Sequence, residues 1–133
     1  MGCKLKVQDL MVENVVTAKE ETTIEGAVGI LFEKHIGALV ITDDDKRCKG
    51  IFTERDVLRS VAKKISLDTH LKKVMSRNII TVKKQDSFAK VKRLMILHRI
   101  RHLPVVDNKG HLIGMLTLRK ILDEFVGIPV AKS

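Results

Sequence analysis

Apolar positions keep two different spacings along this 133-residue chain. Ile24, Ala27, Val28, Leu31 and Phe32 recur at helical intervals, and Glu21-Thr22-Thr23 ahead of them supplies an N-cap. Gly37 is expected to end that helix. Ala38–Thr42 then reads as an apolar strand, Asp43–Arg47 as a polar turn and Cys48–Phe52 as a second strand. Thr53 caps a further helix carrying Val57, Leu58 and Val61. A short β-type run, Asn14–Ala18, precedes the whole.

The same order then returns. Asn78–Val82 is a strand, and Asp86-Ser87 caps a helix running to about Arg99. His102–Val106 is a strand, Asp107-Asn108-Lys109-Gly110 a hairpin turn and His111–Leu116 a strand, and Thr117 opens a helix to about Val126. Val7–Met11 and Leu71–Met75 are expected to be short helices leading into each copy. Gly127 and Pro129 mark the end.

The copies are offset by 64 residues without a gap. Met11/Met75, Asn14/Asn78, Thr17/Thr81, Asp43/Asp107, Gly50/Gly114, Thr53/Thr117 and Arg55/Arg119 are among the identical pairs, and apolar residues replace apolar residues between them. The expected organisation is a repeat over 7–63, a linker over 64–70 and a repeat over 71–126. Ala38–Ile41 and Leu103–Val106 are apolar throughout, so they should be buried on both faces. The fold class is therefore α/β (α+β): two β-α-β-β-α repeats packed sheet to sheet with pseudo-two-fold symmetry.

Composition narrows the function. The chain has no Trp or Tyr, which disfavours a single-strand nucleic-acid binder that needs stacking rings. No apolar run approaches the roughly 20 residues that span a bilayer, and Met1–Val7 has no signal region, so a cytoplasmic location is expected. Cys3 and Cys48 and the five histidines share no metal spacing, so no metal site is expected and the cysteines read as reduced. Residues 1–66 hold 11 basic and 11 acidic side chains, whereas 67–133 hold 14 and 5. The whole net charge of +9 thus falls on the second repeat. That asymmetry fits an anionic ligand, a nucleic-acid or acidic partner, or a solvated basic face over Lys83, Lys84, Lys90, Lys92, Arg93, Arg99 and Arg101. No nucleophile stands with an assignable base, so an enzyme is not expected.

The chemically suggestive stretch is Gly50-Ile51-Phe52-Thr53-Glu54-Arg55-Asp56, with its counterpart Gly114-Met115-Leu116-Thr117-Leu118-Arg119-Lys120. In each, a strand ends in a Thr that starts a helix, and a helix N-terminus suits a phosphate. Asp56, one turn on, can accept two hydrogen bonds from a cis diol such as ribose. The local pattern equally fits a plain capping box in which Thr53 and Asp56 cap one another.

The duplicated unit, Leu-Pro-Val-Val-Asp at 103–107, Gly-Ile-Phe-Thr-Glu-Arg-Asp at 50–56 and Asn-Ile-Ile-Thr-Val at 78–82 together resemble a tandem pair of cystathionine β-synthase (CBS) domains, the Bateman module. The resemblance runs from about Val7 to Val126, which implies the stand-alone form. It implies a regulatory, ligand-sensing module that binds an adenosine-type ligand (AMP, ADP or ATP, in some members S-adenosylmethionine) between the repeats. The nucleotide acts as regulatory ligand, with no other cofactor, and binding signals by a conformational shift to a partner, as in energy sensing. The family pattern Gly-x-x-Thr/Ser-x-x-Asp falls on Thr53 (phosphate) and Asp56 (ribose).

The resemblance further implies that Asn78, Ile79 and Ile80 sandwich the adenine, with Arg101 and His102 near the phosphates and Gly37 and Ala38 close by. A second cleft would use Thr117, Lys120, Asn14, Val15 and Val16. There Lys120 replaces the Asp, and an ammonium has no lone pair for a diol, so this cleft should be weaker or altered. The resemblance also implies a homodimer through the helices at 24–34, 54–63, 88–99 and 118–126, regulating an unknown protein partner. The alternatives are a basic nucleic-acid-binding accessory protein and a structural dimer without ligand.

Overall fold

The computed structural model describes residues 4–126. Cys3, Gly127 and Pro129 lie outside them. In chain order the elements are α1 (Val7–Leu10), β1 (Thr17–Ala18), α2 (Ile24–Lys34), β2 (Ala38–Thr42), β3 (Cys48–Thr53) and α3 (Glu54–Ala62). A 3₁₀ turn (Leu71–Lys73) follows, then α4 (Phe88–His98), β4 (His102–Val106), β5 (Leu112–Thr117) and α5 (Leu118–Val126).

The chain divides into two compact units that do not follow the repeat boundaries. Among the described residues one is formed by 16–79; the other joins 4–15 to 80–126. In the first, β1 pairs parallel with β2, and β2 antiparallel with β3, with Leu39 opposite Phe52. All five residues of β2 are buried, as an all-apolar strand covered on both sides requires. Its core joins Ile24, Leu31, Leu39, Ile41 and Phe52 to Leu71 and Met75, which arrive from the leader of the second repeat. Backbone bonds fasten that segment: Leu71 N–H to Thr22 O (2.8 Å), Lys72 N–H to Glu20 O (3.1 Å), and Ile51 and Ser76 with each other (3.0 and 2.9 Å).

The other unit mirrors this arrangement. β4 pairs antiparallel with β5, and Val91, Met95, Leu103, Val105, Leu116 and Ile121 pack with Val7 and Leu10 of α1. Val7 N–H donates to Asp86 O (2.9 Å), Gln8 N–H to Lys84 O (3.1 Å), and Val12 bonds Met115 in both directions. Each leader therefore completes the core built on the body of the opposite repeat. Burying a side chain such as Leu10 or Leu71 contributes about 1.5–3 kcal/mol, so each unit depends on its borrowed leader.

Two details depart from expectation. Gly37 does not end α2: the helix stops at Lys34, and His35 takes the left-handed conformation (φ 55°) while its N–H reaches back to Leu31 and Phe32 carbonyls. Arg99 (φ 54°) does the same after α4. The expected strand Asn78–Val82 shrinks to one parallel bridge, Val82 with Val105, made by Val82 N–H to Pro104 O (3.0 Å) and Val106 N–H to Val82 O (2.9 Å). In the first repeat Thr17 pairs with Val40 and Ala18 with Ile41. Pro104 stands in the place of Val40 and has no N–H, so the next rung cannot form.

Candidate functional site

Thr53 ends β3 in an extended conformation (φ −117°, ψ 170°) and is the N-cap of α3. Its Oγ1 accepts the N–H of Asp56 at 3.3 Å. The Asp56 carboxylate answers: Oδ2 accepts the Thr53 N–H at 2.9 Å and the Thr53 hydroxyl at 3.2 Å. Arg59, one turn further on, donates from Nη1 to Oδ1. Asp56 is buried, while the Arg59 side chain is half exposed. The reciprocal capping box is thus formed in full. The helix N-terminus is also less open than the sequence suggests, because Glu54 N–H donates to Gly37 O at 3.0 Å. Ala38 is the register partner of Thr53, so Gly37 and Ala38 border the same helix start.

The glycine of the motif is a packing requirement. A Cβ on Gly50 would lie 2.6 Å from Met75 Sδ and 2.9 Å from the backbone oxygen of Ser76. At Gly114 the corresponding neighbours are Met11 Sδ (2.8 Å) and Val12 O (3.1 Å). In both copies the borrowed leader crosses the strand at this glycine, two residues before Asn78 or Asn14.

In the second copy Thr117 Oγ1 accepts the Lys120 N–H at 3.0 Å, but Lys120 cannot cap back. Its ammonium turns to Glu124 (2.8 Å), which with Asp123 holds the Lys120 pKa above the ordinary lysine value. Leu118 N–H donates to Arg101 O (2.9 Å), and His102 pairs with Thr117, so Arg101 and His102 border this helix start. Burial, and then the neighbouring Arg101, holds His102 below the ordinary imidazole pKa.

The expected ligand residues are therefore distributed as follows. Gly37, Ala38, Thr53, Asp56, Asn78, Ile79 and Val16 belong to the unit of residues 16–79, and within it the first four meet at one helix start. Ile80, Arg101, His102, Thr117, Lys120, Asn14 and Val15 belong to the other. Sequence reasoning missed Arg59, although its i,i+3 spacing from Asp56 was the available signal. It also left unused a cavity of about 490 Å³ lined by Lys83, Lys84, Asp86, Val106, Asp107 and Asn108, which contains none of the expected ligand residues. Two of the expected basic-face lysines are engaged locally, Lys83 with Asn108 (3.0 Å) and Lys90 with Asp86 (3.1 Å). Among the described residues no group of three or more His, Cys, Asp or Glu side chains is placed to hold a metal ion, and no helix is long and apolar enough to cross a membrane.

The CBS domain family model matches the chain twice, at residues 7–63 and 71–127, and the protein belongs to that family. A homoserine O-acetyltransferase of Methanohalobium evestigatum is 31% identical over 122 residues, covering 90% of this chain but 24% of that relative. The chain thus spans about a quarter of that relative's length. The CBS domain pair of the protein MJ0100, solved in complex with 5′-methylthioadenosine and S-adenosyl-L-methionine, superposes with a TM-score of 0.85 at 27% identity, covering 94% of this chain and 98% of that one. CBSX2, solved in complex with AMP, gives a TM-score of 0.81 at 25% identity, covering 92% and 97%. The fold is that of a CBS pair, and ligand-binding relatives of it carry adenosine compounds.

Proposed function

We propose that this chain is a cytoplasmic regulatory module that binds an adenosine-type ligand through Thr53 and Asp56. The carrying observation is the start of α3, where a buried carboxylate, a hydroxyl and the Gly37-Ala38 backbone meet. A carboxylate offers about four lone-pair sites, and the Thr53 N–H, the Thr53 hydroxyl and Arg59 engage three. The remaining site on Oδ1 can accept one ribose hydroxyl, beside the half-exposed Arg59 cation that suits a phosphate. The adenosine compounds bound by the MJ0100 pair and by CBSX2 support this ligand class.

On this reading Asn78, Ile79 and Ile80 hold the adenine, and Arg101 and His102 serve the phosphates. The cleft of Thr117, Lys120, Asn14, Val15 and Val16 is the weaker one, because Lys120 is an ammonium bound to Glu124. Ligand binding differs in affinity between two arrangements of the module and so shifts their population, a means of energy sensing read by a protein partner or a fused enzyme. The chain works as a pair of copies. Calorimetric titration with AMP, ADP, ATP, NADH and S-adenosylmethionine tests the ligand class: saturable binding of one or more adenosine compounds is expected, and heat from none of them refutes it.

A further inference from the structure

The Asp56 carboxylate is nearly full before any ligand arrives. Oδ2 carries the Thr53 N–H (2.9 Å) and the Thr53 hydroxyl (3.2 Å), and Arg59 Nη1 holds Oδ1. One acceptor site remains, on Oδ1. A ribose diol brings two hydroxyl donors, so one of the present partners must yield.

The three partners differ in how readily they leave. The Thr53 N–H is backbone at the N-cap of α3. The Thr53 hydroxyl is held over the carboxylate because its oxygen accepts the Asp56 N–H at 3.3 Å. Arg59 is a long side chain that is 50% exposed, whereas the Asp56 side chain is 9% exposed. Its guanidinium is thus the solvent-side cover of the carboxylate. Water and salt screen a pair with one half-exposed partner, so this contact opens at least cost.

The second repeat carries the same pair with its signs exchanged. At the offset of 64, Lys120 matches Asp56 and Asp123 matches Arg59. Each copy therefore keeps opposite charges three residues apart on its last helix. Arg59 goes with the carboxylate at 56, and both are gone from the copy whose cleft lacks the ribose acceptor.

We propose that Arg59 selects phosphorylated ligands by guarding Asp56. Without ligand it covers Oδ1. A nucleotide draws the guanidinium from the carboxylate to its phosphate, and the freed acceptor site takes the second ribose hydroxyl. A nucleoside must open the same ion pair with no phosphate to re-engage the cation. One residue thus acts against the wrong ligand and for the right one. The inference rests on the reading above that Asp56 holds the ribose, and adds what separates nucleotide from nucleoside.

Calorimetric titration of AMP and of adenosine into the parent chain, Arg59→Met and Arg59→Lys, at one ionic strength, tests it. The parent should bind AMP at least about tenfold more tightly than adenosine. In Arg59→Met, which keeps the apolar stem, adenosine should bind about threefold to tenfold more tightly than in the parent, and AMP no more tightly. Arg59→Lys keeps the charge without the fork, so its AMP-to-adenosine ratio should fall between the other two. A Lys variant no more selective than the Met variant counts against the cation. A merely structural role would weaken both ligands together and leave the ratio unmoved. That result, or a parent chain that binds adenosine as tightly as AMP, overturns the inference. AMP binding that needs Asp56 but shows an unmoved ratio leaves the reading of the site standing. Heat from neither ligand in the parent chain refutes that reading and this inference with it.

Discussion

The Asp56 carboxylate accepts both the N–H and the hydroxyl of Thr53, at 2.9 and 3.2 Å, while Thr53 caps the helix that carries Asp56. One residue thus holds the helix start and offers the acceptor assigned to the ligand. Asp56→Ala removes half of the capping box and leaves Arg59 unpaired at this site. It should cost about 1 kcal/mol, within a 0.5–2 kcal/mol range, read as a lower melting temperature in nucleotide-free protein. An unchanged melting temperature would mean the box contributes nothing.

Lys120→Asp should build the missing half of the second box. Thr117 already accepts the residue-120 N–H, and the new carboxylate would sit where Asp56 sits in the first copy. The expected result is an added binding event or tighter binding in calorimetry. Unchanged stoichiometry and affinity would show that Lys120 is not what separates the two clefts.

Gly50→Ala should destabilise more than Gly114→Ala. At Gly50 the added methyl meets the buried Met75 and a backbone oxygen at 2.9 Å; at Gly114 the nearest atom belongs to the half-buried, movable Met11, and the backbone oxygen stands at 3.1 Å. Overpacking of this kind costs about 1–3 kcal/mol, and the Gly50 variant should fall in the upper half of that range. Urea unfolding of the two variants decides the order.

His102 sets a pH dependence. Its pKa is lowered in the folded state by burial and then by Arg101, so the unfolded chain binds more protons in the interval just below the ordinary imidazole pKa of 6.5. Stability should therefore fall as pH drops through that value and continue to fall until the folded-state pKa is reached. Melting temperatures between pH 7.5 and 5 should decline less in His102→Gln than in the parent chain. Equal declines would remove His102 as the cause.

The Cys48 thiol is pushed up to about 11 by burial. In a Cys3→Ser background its alkylation by iodoacetamide should be slow at pH 8 and accelerate only near pH 10–11, since the thiolate is the nucleophile. Rapid modification at pH 8 would contradict the raised pKa of this half-buried thiol.

Much of the fold was legible because the repeat itself specified it. The caps Thr23, Thr53, Ser87 and Thr117, the strand bounds of β2 and β4, and the turns closed by Asp43 and Asp107 all sit where the residue pattern put them. Asp107 Oδ1 accepts the Lys109 and His111 N–H groups, and Asp43 Oδ1 those of Asp45 and Arg47, which gives the identical pair Asp43/Asp107 a local cause. The exchange of leaders was not legible. Val7, Leu10, Leu71 and Met75 are plainly apolar, but helical spacing says only that they are buried, not in which core. The loss of the second first-strand followed from Pro104, a single residue whose effect falls on its neighbour in the ladder. At the site, the capping box was one of two readings of the same residues, and Arg59 lies one turn beyond Asp56, where the family pattern ends.

The central claim is that Asp56 holds the ribose of an adenosine-type ligand. Isothermal titration of AMP into the full chain and into Asp56→Asn tests it most directly, because the amide keeps an acceptor for the Thr53 N–H but loses the carboxylate charge and one acceptor oxygen. Loss of a charge-assisted diol contact should weaken binding by about tenfold or more, with the fold retained by circular dichroism. Equal affinity in the two proteins would contradict the account.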